Sequence, residues 1–416
     1  MYKVFKFGGA SVKDAEGVRN LKKILEIYKD EKLVVVISAM GKMTNQLEKV
    51  LDSWYYEPES LQNNFEIVKN FHLDIARQLE NKPEELTAVL LPVLDRLFEI
   101  VSGKNSNHYD KDYDDIVSFG EYLSTKLIST YLNLNGYDNE FSCAIHLVKT
   151  DDSFREGKVN WEETEKAISC FVAEHPNKTI ITQGFIGGTM NGEVTTLGRE
   201  GSDFSAAIFA YCLNAQEVTI WKDVPGLLNA DPKFYPNAVK LDKISYQEAI
   251  ELAYYGATII HPKTIKPLQN KHIPLFVKSF LAPYDEGSII ADVEPLEKTP
   301  SYIFKTEQIL LSIFPKDFSF IAADNLTKIF SFISKNKLKI NLMQNSAVSF
   351  TICMDNKPNR FANLLKDLQE EFLVKYNTNK KLITIRHYTQ EAIEQVIGNQ
   401  AVILEQRSRS TVQVVL

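Results

Sequence analysis

The sequence predicts an α/β protein: a large region with a mostly parallel central sheet, followed by a smaller ferredoxin-like α+β region. Over residues 1–292, short β-branched runs alternate with helical patterns, which is typical of strands joined by crossover helices. After residue 301 the predicted elements follow the order β-α-β-β-α-β, which is the order of a ferredoxin-like unit. Between the two, residues 293–301 carry two prolines among charged residues and are predicted to be a linker.

The strands predicted for the first region are short, apolar and bounded by glycine, proline or polar residues. They are Val4–Phe7, Leu33–Ser38, Thr179–Thr182, Glu217–Trp221 and Pro274–Ser279. Residues 58–135 are predicted to form a long helical insert, because Leu94, Leu97, Phe98 and Val101 follow helical spacing.

In the second region, two helices are predicted from apolar residues at i, i+3, i+4 and i+7, the first capped by Asp324. The predicted strands are Ile309–Phe314, Lys339–Met343, Val348–Met354 and Lys381–Arg386. Residues 389–416 hold one further helix and two strands, too little for a second complete unit. We therefore expect a first domain (1–292), a linker (293–301), a ferredoxin-like unit (302–388) and a shortened second unit (389–416).

Composition limits the classes of partner. The net charge is −7 and charges of both signs are mixed along the chain, which disfavours a nucleic-acid partner. The longest apolar stretch, Leu33–Met40, is too short to span a membrane, and the first residues lack a secretory signal. Four cysteines form no CxxC pair, and Cys170 and Cys212 lie among apolar residues and are predicted to be buried free thiols. We expect a cytoplasmic protein.

Two glycine-containing segments follow predicted strands. In Lys6–Val12 (KFGGASV), Gly8 and Gly9 would let the backbone approach a polyphosphate, and Lys6 would supply a cation to a transferring phosphoryl group. The spacing is not that of a Walker A loop, and a simple tight turn with a surface lysine is the alternative. Ser38–Asn45 (SAMGKMTN) lies where ligands bind in open α/β sheets, although Thr44 could equally cap a helix.

Two further segments carry charge at predicted helix starts. Glu121 in Ser118–Glu121 (SFGE) could bind a substrate ammonium group or only complement the helix dipole. In Thr195–Asp203 (TTLGREGSD), Arg199 suits bidentate binding of a carboxylate. Ser202 and Asp203 begin a helix, where free backbone N–H groups can meet an anion or a cap can form.

The fifth segment, Trp221–Lys233 (WKDVPGLLNADPK), follows a strand and is rich in Pro, Gly, Asp and Asn. Such a loop suits an adenine and ribose pocket in which Asp223 and Lys233 anchor the nucleotide. A long surface loop is the alternative.

Together with Ala257–Pro262 (ATIIHP), these five segments resemble the aspartate kinase family, within the amino-acid kinase fold, from residue 1 to about 290. The tail resembles the ACT regulatory region of that family. The resemblance implies transfer of the γ-phosphoryl group of ATP to the side-chain carboxylate of L-aspartate. The product, 4-phospho-L-aspartate, would begin lysine, threonine and methionine biosynthesis.

The resemblance also implies roles for individual residues. Lys6 and Asp203 would be catalytic, and aspartate would be bound by Thr44, Glu121, Arg199 and Ser202. Nucleotide contacts would come from Lys6, Gly8, Gly9, Ser38, Lys222, Asp223, Leu228, Lys233 and Thr258. Mg²⁺ would be held mainly by ATP oxygens and water, without a dedicated protein site. The chain would form a homodimer through its ACT units.

Several residues depart from the pattern of that family. Glu200 stands where glycine is common, Lys222 where threonine is frequent, and Thr258 where lysine is frequent. Leu228 replaces a frequent tyrosine.

The effector segment departs from the pattern as well. In lysine-inhibited relatives it resembles DLxxTSE, whereas Asn341 and Ala347 here remove both acids. An effector would bind near Asn341 and Ser346, or no effector would bind. We expect lysine alone to inhibit poorly and threonine or nothing to be the effector.

Two alternatives remain open. The chain could be another amino-acid kinase relative that acts on glutamate, N-acetylglutamate or a nucleoside monophosphate. It could also be an amino-acid-binding regulatory protein without catalysis, although Lys6, Arg199 and Asp203 argue against this.

Overall fold

The computed structural model describes residues 1–79, 82–257, 260–294, 298–317 and 319–416. The chain forms two compact units, and each is described by itself. The first comprises Met1–Leu227, Lys240–Ile250 and Ile260–Pro295. The second comprises Leu228–Val239, Glu251–Ile259 and Leu296–Leu416. Two short segments of the predicted first domain thus pack with the C-terminal unit. Part of the predicted linker, 295–297, lies outside the described residues.

The first 292 residues contain thirteen described strands. They are β1 (Tyr2–Phe7), β2 (Lys32–Ile37), β3 (Asn139–Ser142), β4 (Lys149–Thr150), β5 (Thr179–Gln183), β6 (Ile186–Thr189), β7 (Val194–Thr196), β8 (Glu217–Lys222), β9 (Leu227–Leu228), β10 (Lys240–Leu241), β11 (Lys243–Ser245), β12 (Leu275–Ser279) and β13 (Ser288–Ala291).

Eight of these strands form the central sheet, in the order β11-β13-β12-β8-β1-β2-β5-β3. Neighbouring strands are parallel, except that β12 and β13 are antiparallel. Val4, Phe5 and Phe7 of the central strand are fully buried, as expected for a parallel sheet covered on both faces. The mostly parallel α/β fold and its five predicted strands are confirmed.

The helices of this part of the chain cover the sheet and form the insert. They are α1 (Ala15–Ile27), α2 (Met43–Tyr56), α3 (Pro58–Gln78), α4 (Pro83–Ser102), α5 (Tyr109–Val117), α6 (Phe119–Leu134), α7 (Ala144–Leu147), α8 (Trp161–Glu174), α9 (Gly201–Leu213), α10 (Tyr246–Tyr255) and α11 (Pro262–Asn270). Helices α3 to α6 are the predicted insert. Leu94, Leu97 and Val101 face its core as predicted, whereas Phe98 lies at the edge of that face and is 42% exposed.

The second unit contains the remaining elements. They are β14 (Ser301–Pro315), α12 (Ala323–Lys335), β15 (Ile340–Asn345), β16 (Phe350–Asp355), α13 (Pro358–Glu371), β17 (Phe372–Arg386), α14 (Gln390–Ile397), β18 (Leu404–Arg407) and β19 (Thr411–Val415). They form one antiparallel sheet in the order β15-β16-β14-β17-β19-β18.

The predicted β-α-β-β-α-β order is therefore confirmed. Strands β14 and β17 are longer than predicted, since they pair along their whole lengths, from Ser301 with Arg386 to Pro315 with Phe372. The predicted cap is wrong: Ala322 occupies the N-cap position of α12, and Asp324 lies in its first turn.

Two properties bear on the expected class of protein. No helix within the described ranges is both long and apolar enough to cross a membrane. All four cysteines are free, with Cys212 and Cys353 buried. Cys170 is exposed, so its predicted burial is wrong: α8 buries the face that carries Ile168 and Val172 and turns Cys170 away from it.

Candidate active site

The carboxyl ends of β1, β2 and β5 lie side by side, and the candidate site is built from the loops that follow them. These strands are parallel neighbours, and in open α/β sheets ligands bind at this edge. Backbone bonds continue past the strands: Ser38 N donates to Phe7 O (3.1 Å) and Gly184 N donates to Ile37 O (2.9 Å). The three loops therefore start from fixed positions.

The loops after β1 and β2 pack directly against each other. Gly41 N donates to Gly9 O over 2.9 Å. A Cβ atom on Gly9 would lie 2.7 Å from Ala39 O and 2.9 Å from Gly41 O, closer than real side chains approach. Glycine is thus required at position 9. A Cβ on Gly8 would meet only the Lys6 ammonium, at 3.4 Å.

Lys6 and Asp203 form a buried ion pair in this region. Lys6 lies near the end of β1, Asp203 lies in the first turn of α9, and Lys6 Nζ is 2.7 Å from Asp203 Oδ1. Burial by itself would raise the pKa of the Asp203 carboxyl. The ammonium groups of Lys6 and Lys222, and the hydrogen bond from Lys6, outweigh burial and hold that pKa below its usual range. Asp203 is therefore ionised at neutral pH, and two cations converge on it.

Glu121 is a nearly inaccessible carboxyl group in the first turn of α6. It is 2% exposed, and its Oε1 accepts a hydrogen bond from Ala39 N over 3.3 Å. Among the described residues, its Oε2 has no hydrogen-bond partner. Burial raises the pKa of Glu121 to about 8, although the Ala39 bond and the Lys6 charge oppose the rise. Oε2 is therefore a buried polar atom without a partner among the described residues.

Arg199 lies exposed on the loop that connects β7 to α9. Gly198 and Glu200 on either side have positive φ angles, 74° and 54°. The start of the loop is held by Asp114 of α5, whose carboxylate accepts from Thr196 N (2.9 Å) and Thr196 Oγ1 (2.6 Å). The structure thus presents the Arg199 side chain on a constrained loop.

The remaining predicted residues of the first unit take intermediate positions. Ser38 is buried at the end of β2, and Thr44 is half-buried in the first turn of α2. Ser202 is half-buried, and a Cβ on Gly184 would lie 2.7 Å from its Cβ. Lys222 ends β8, and Asp223 after it is exposed.

Three predicted residues belong elsewhere. Leu228 and Lys233 belong to the second unit, where Lys233 N donates to Asp231 Oδ1 over 2.9 Å. Thr258 lies outside the described residues.

The predicted effector residues also belong to the second unit. The Asn341 carboxamide is occupied by protein groups: its oxygen accepts from Lys305 Nζ (2.7 Å), and its nitrogen donates to Gln308 Oε1 and Asp355 Oδ1 (both 2.8 Å). The Ser346 and Ser349 hydroxyls share a hydrogen bond of 2.8 Å.

The sequence prediction did not include Phe185, which lies in the loop after β5. Its φ is 69°, and its N–H donates to Ser205 Oγ over 2.9 Å. A Cβ on Gly201 would lie 2.7 Å from its ring. The signal was available, because Gly184–Gly188 (GFIGG) directly follows a predicted parallel strand.

Across the described ranges, no group of three or more His, Cys, Asp or Glu residues could hold a metal ion.

Comparison with known proteins identifies the family. The model of the amino acid kinase family matches residues 1–279. Aspartokinase 2, chloroplastic, of Arabidopsis thaliana is 30% identical over 412 residues, which cover 92% of this chain and 73% of that protein. The chain belongs to the aspartokinases of the amino acid kinase family.

Two further aspartokinases are similar to this chain. Aspartokinase 1, chloroplastic, of Arabidopsis thaliana is 32% identical over 371 residues, 85% of this chain and 63% of that protein. The crystal structure of E. coli aspartokinase III in complex with lysine and aspartate (T-state) superposes with a TM-score of 0.83 at 24% identity. The superposition covers 100% of this chain and 95% of the E. coli chain, so both compact units have the aspartokinase fold.

Proposed function

We propose that the protein is an aspartate kinase, which transfers the γ-phosphoryl group of ATP to the side-chain carboxylate of L-aspartate. The product is 4-phospho-L-aspartate, and the reaction begins lysine, threonine and methionine biosynthesis. The observation that carries this proposal is the buried Lys6–Asp203 pair beside the Gly8–Gly9 loop, in a chain of the aspartokinase family.

The chemistry needs charge neutralisation more than a base. A carboxylate is already a nucleophile at neutral pH, so the barrier is the repulsion between the substrate anion and the phosphates. Asp203, which is ionised, fixes the Lys6 ammonium in a protected position. Lys6 then neutralises charge on the transferring phosphoryl group, and Lys222 adds a second cation at the same place.

Recognition of aspartate requires opposite charges for its ammonium and carboxylate groups. We assign the ammonium to Glu121, whose buried Oε2 has no hydrogen-bond partner among the described residues. An arriving cation favours the ionised form, so binding releases the proton that Glu121 carries. Arg199 would bind a carboxylate of aspartate, while Thr44 and Ser202 would orient the substrate.

ATP would lie on the Gly8–Gly9 loop, with Ser38 and Lys222 at its phosphates. We assign a further nucleotide contact to Asp223, and the contacts of Leu228, Lys233 and Thr258 remain predictions from the family resemblance. Bound Mg²⁺ would neutralise phosphate charge. ATP oxygens and water would supply most of its ligands, as is usual for Mg²⁺ bound with a nucleotide. A cytosolic location is also proposed, supported by four free cysteines.

An ATP-dependent hydroxamate assay tests the proposal, with aspartate, glutamate and N-acetylglutamate compared side by side. We expect acyl hydroxamate from aspartate and little from the other two. Preference for glutamate or N-acetylglutamate would favour another kinase of the family. Binding of an amino acid without any product would favour a regulatory protein.

A further inference from the structure

Glu200 lies at the N-cap position of α9 in a left-handed conformation, with φ 54° and ψ 29°. Its side chain makes no capping hydrogen bond to α9 in the described structure. Instead, Glu200 Oε2 accepts a hydrogen bond from the backbone N–H of His261 over 2.9 Å. The carboxylate therefore connects the Arg199 loop to a segment 61 residues away.

His261 is the N-cap residue of α11. Its Nδ1 accepts from Lys263 N over 3.2 Å, which orders the first turn of the helix. Lys263 reaches back, and its Nζ donates to Leu197 O over 3.1 Å. The loop Leu197–Glu200 is thus tied at both of its ends to the start of one helix, with Arg199 between the ties.

We propose that Glu200 is a positioning residue, which holds Arg199 in place for aspartate by anchoring this loop to the N-terminus of α11. The inference rests on the proposed function, since it assigns Arg199 to the substrate carboxylate. Arg199 makes the contact with substrate, and Glu200 acts through it.

Two physical arguments favour this role. A non-glycine residue with positive φ is strained, so glycine would serve this backbone better unless the side chain contributes. The side chain contributes a hydrogen bond to an ionised acceptor, and such bonds are about twice as strong as neutral ones.

The second argument is electrostatic. A carboxylate beside the substrate clamp would repel a dicarboxylate substrate if it pointed freely into the site. The His261 N–H instead donates to this carboxylate and holds it at the N-terminus of α11, where negative charge is favourable. In this position the carboxylate does not point freely into the site.

The test compares Glu200→Gly, Glu200→Gln and Glu156→Ala. Glycine removes the hydrogen bond yet suits the backbone angle, so misfolding is not expected. Glutamine retains an acceptor oxygen without the charge. Glu156 is an exposed carboxylate whose Cγ would lie 3.3 Å from a Cβ on Gly198, so it is a matched control beside the same loop.

We expect Glu200→Gly to raise KM for aspartate about tenfold while KM for ATP stays within about twofold. Glu200→Gln should stay within about threefold of the wild type in both constants, because an acceptor remains. Glu156→Ala should resemble the wild type. An unchanged KM for aspartate in Glu200→Gly, or an equal defect in Glu200→Gln, overturns the proposal.

Amide hydrogen exchange gives a second readout that needs no activity. The His261 amide should exchange faster in Glu200→Gly, and by a smaller factor in Glu200→Gln, which keeps an acceptor without the charge; no change in Glu200→Gly also overturns the proposal. If the wild-type protein forms no acyl phosphate from aspartate, the proposed function fails. The exchange rates then still decide whether Glu200 anchors the loop, and calorimetric titration with aspartate decides whether the anchor matters for binding.

Discussion

At the scale of single residues, Glu121 makes the site sensitive to pH. Burial raises its pKa in the folded protein to about 8, well above the ordinary value of 4.5. A carboxyl whose pKa is raised on folding favours the fold fully below its unfolded pKa, and this contribution is lost progressively as the pH rises from 4.5 to about 8. Glutamine cannot ionise, so the stability of Glu121→Gln should not show this fall with pH.

We therefore expect the wild type to lose about 3 kcal/mol of stability relative to Glu121→Gln between pH 6 and pH 9. Denaturant unfolding at both pH values measures this difference. Glu174→Gln, an exposed position at the end of α8, is the control and should show no such change. Equal pH dependence in wild type and Glu121→Gln would mean that Glu121 is ionised in the free protein.

At the scale of elements, Asp114 ties α5 to β7, which leads into the Arg199 loop. Its Oδ2 accepts two backbone N–H groups, from Arg155 (2.8 Å) and Thr196 (2.9 Å). In Asp114→Ala both contacts are lost, because alanine has no side-chain acceptor. Loss of a buried charge-assisted bond should cost about 2–3 kcal/mol of unfolding free energy.

Asp110→Ala on the same helix is the matched control. Asp110 pairs with Arg155 at 3.4 Å on an exposed surface, so its replacement should cost about 0.5 kcal/mol or less. Similar unfolding free energies for the two variants would contradict the role given to Asp114.

Apolar strands such as β2 were predictable, because burial on both faces leaves a continuous β-branched run. The strand β3, with sequence NEFS, was not predicted, because it is short and polar and its pairing with β5 is a tertiary contact. Strands β4, β6 and β7 escaped prediction for the same reason.

Some residues of the candidate site were predictable from the sequence, and others were not. Lys6 and Asp203 were predictable, because each lies in a local motif that carries chemical information. Asp114 was not, since its partner Thr196 is 82 residues away and nothing local signals the contact. Lys263 and its bond to Leu197 O, 66 residues away, escaped for the same reason. The roles given to the site residues remain predictions.

At the scale of the whole molecule, we predict a homodimer that forms through the ACT region. Strand β15 is an edge strand of the second unit's sheet, and Met343, Gln344 and Asn345 on it are exposed. Edge strands of this kind are commonly paired or covered. Light scattering at micromolar concentration should give twice the chain mass, and Met343→Lys should weaken the association. A monodisperse monomer would contradict the prediction.

Feedback control is predicted to differ from that of a lysine-inhibited enzyme. Asn341 has no charge, and its carboxamide is engaged by Lys305, Gln308 and Asp355, so a lysine effector gains no strong partner there. We expect weak inhibition by lysine alone, with threonine or no amino acid as the effector. Titration of lysine and of threonine at sub-saturating aspartate checks this. Submillimolar inhibition by lysine alone would show that this interpretation of Asn341 is wrong.

We propose that the buried Lys6–Asp203 pair promotes phosphoryl transfer to aspartate. The most direct measurement is the turnover number of Lys6→Ala beside that of Lys3→Ala. Lys3 lies on the same strand but pairs with Glu31 (2.8 Å) away from the glycine loop. Loss of the Lys6 charge should cost roughly 3–4 kcal/mol of transition-state stabilisation and lower turnover by about two to three orders of magnitude. Lys3→Ala should keep near-normal turnover. Near-normal turnover in a folded Lys6→Ala protein would contradict the catalytic role proposed for Lys6.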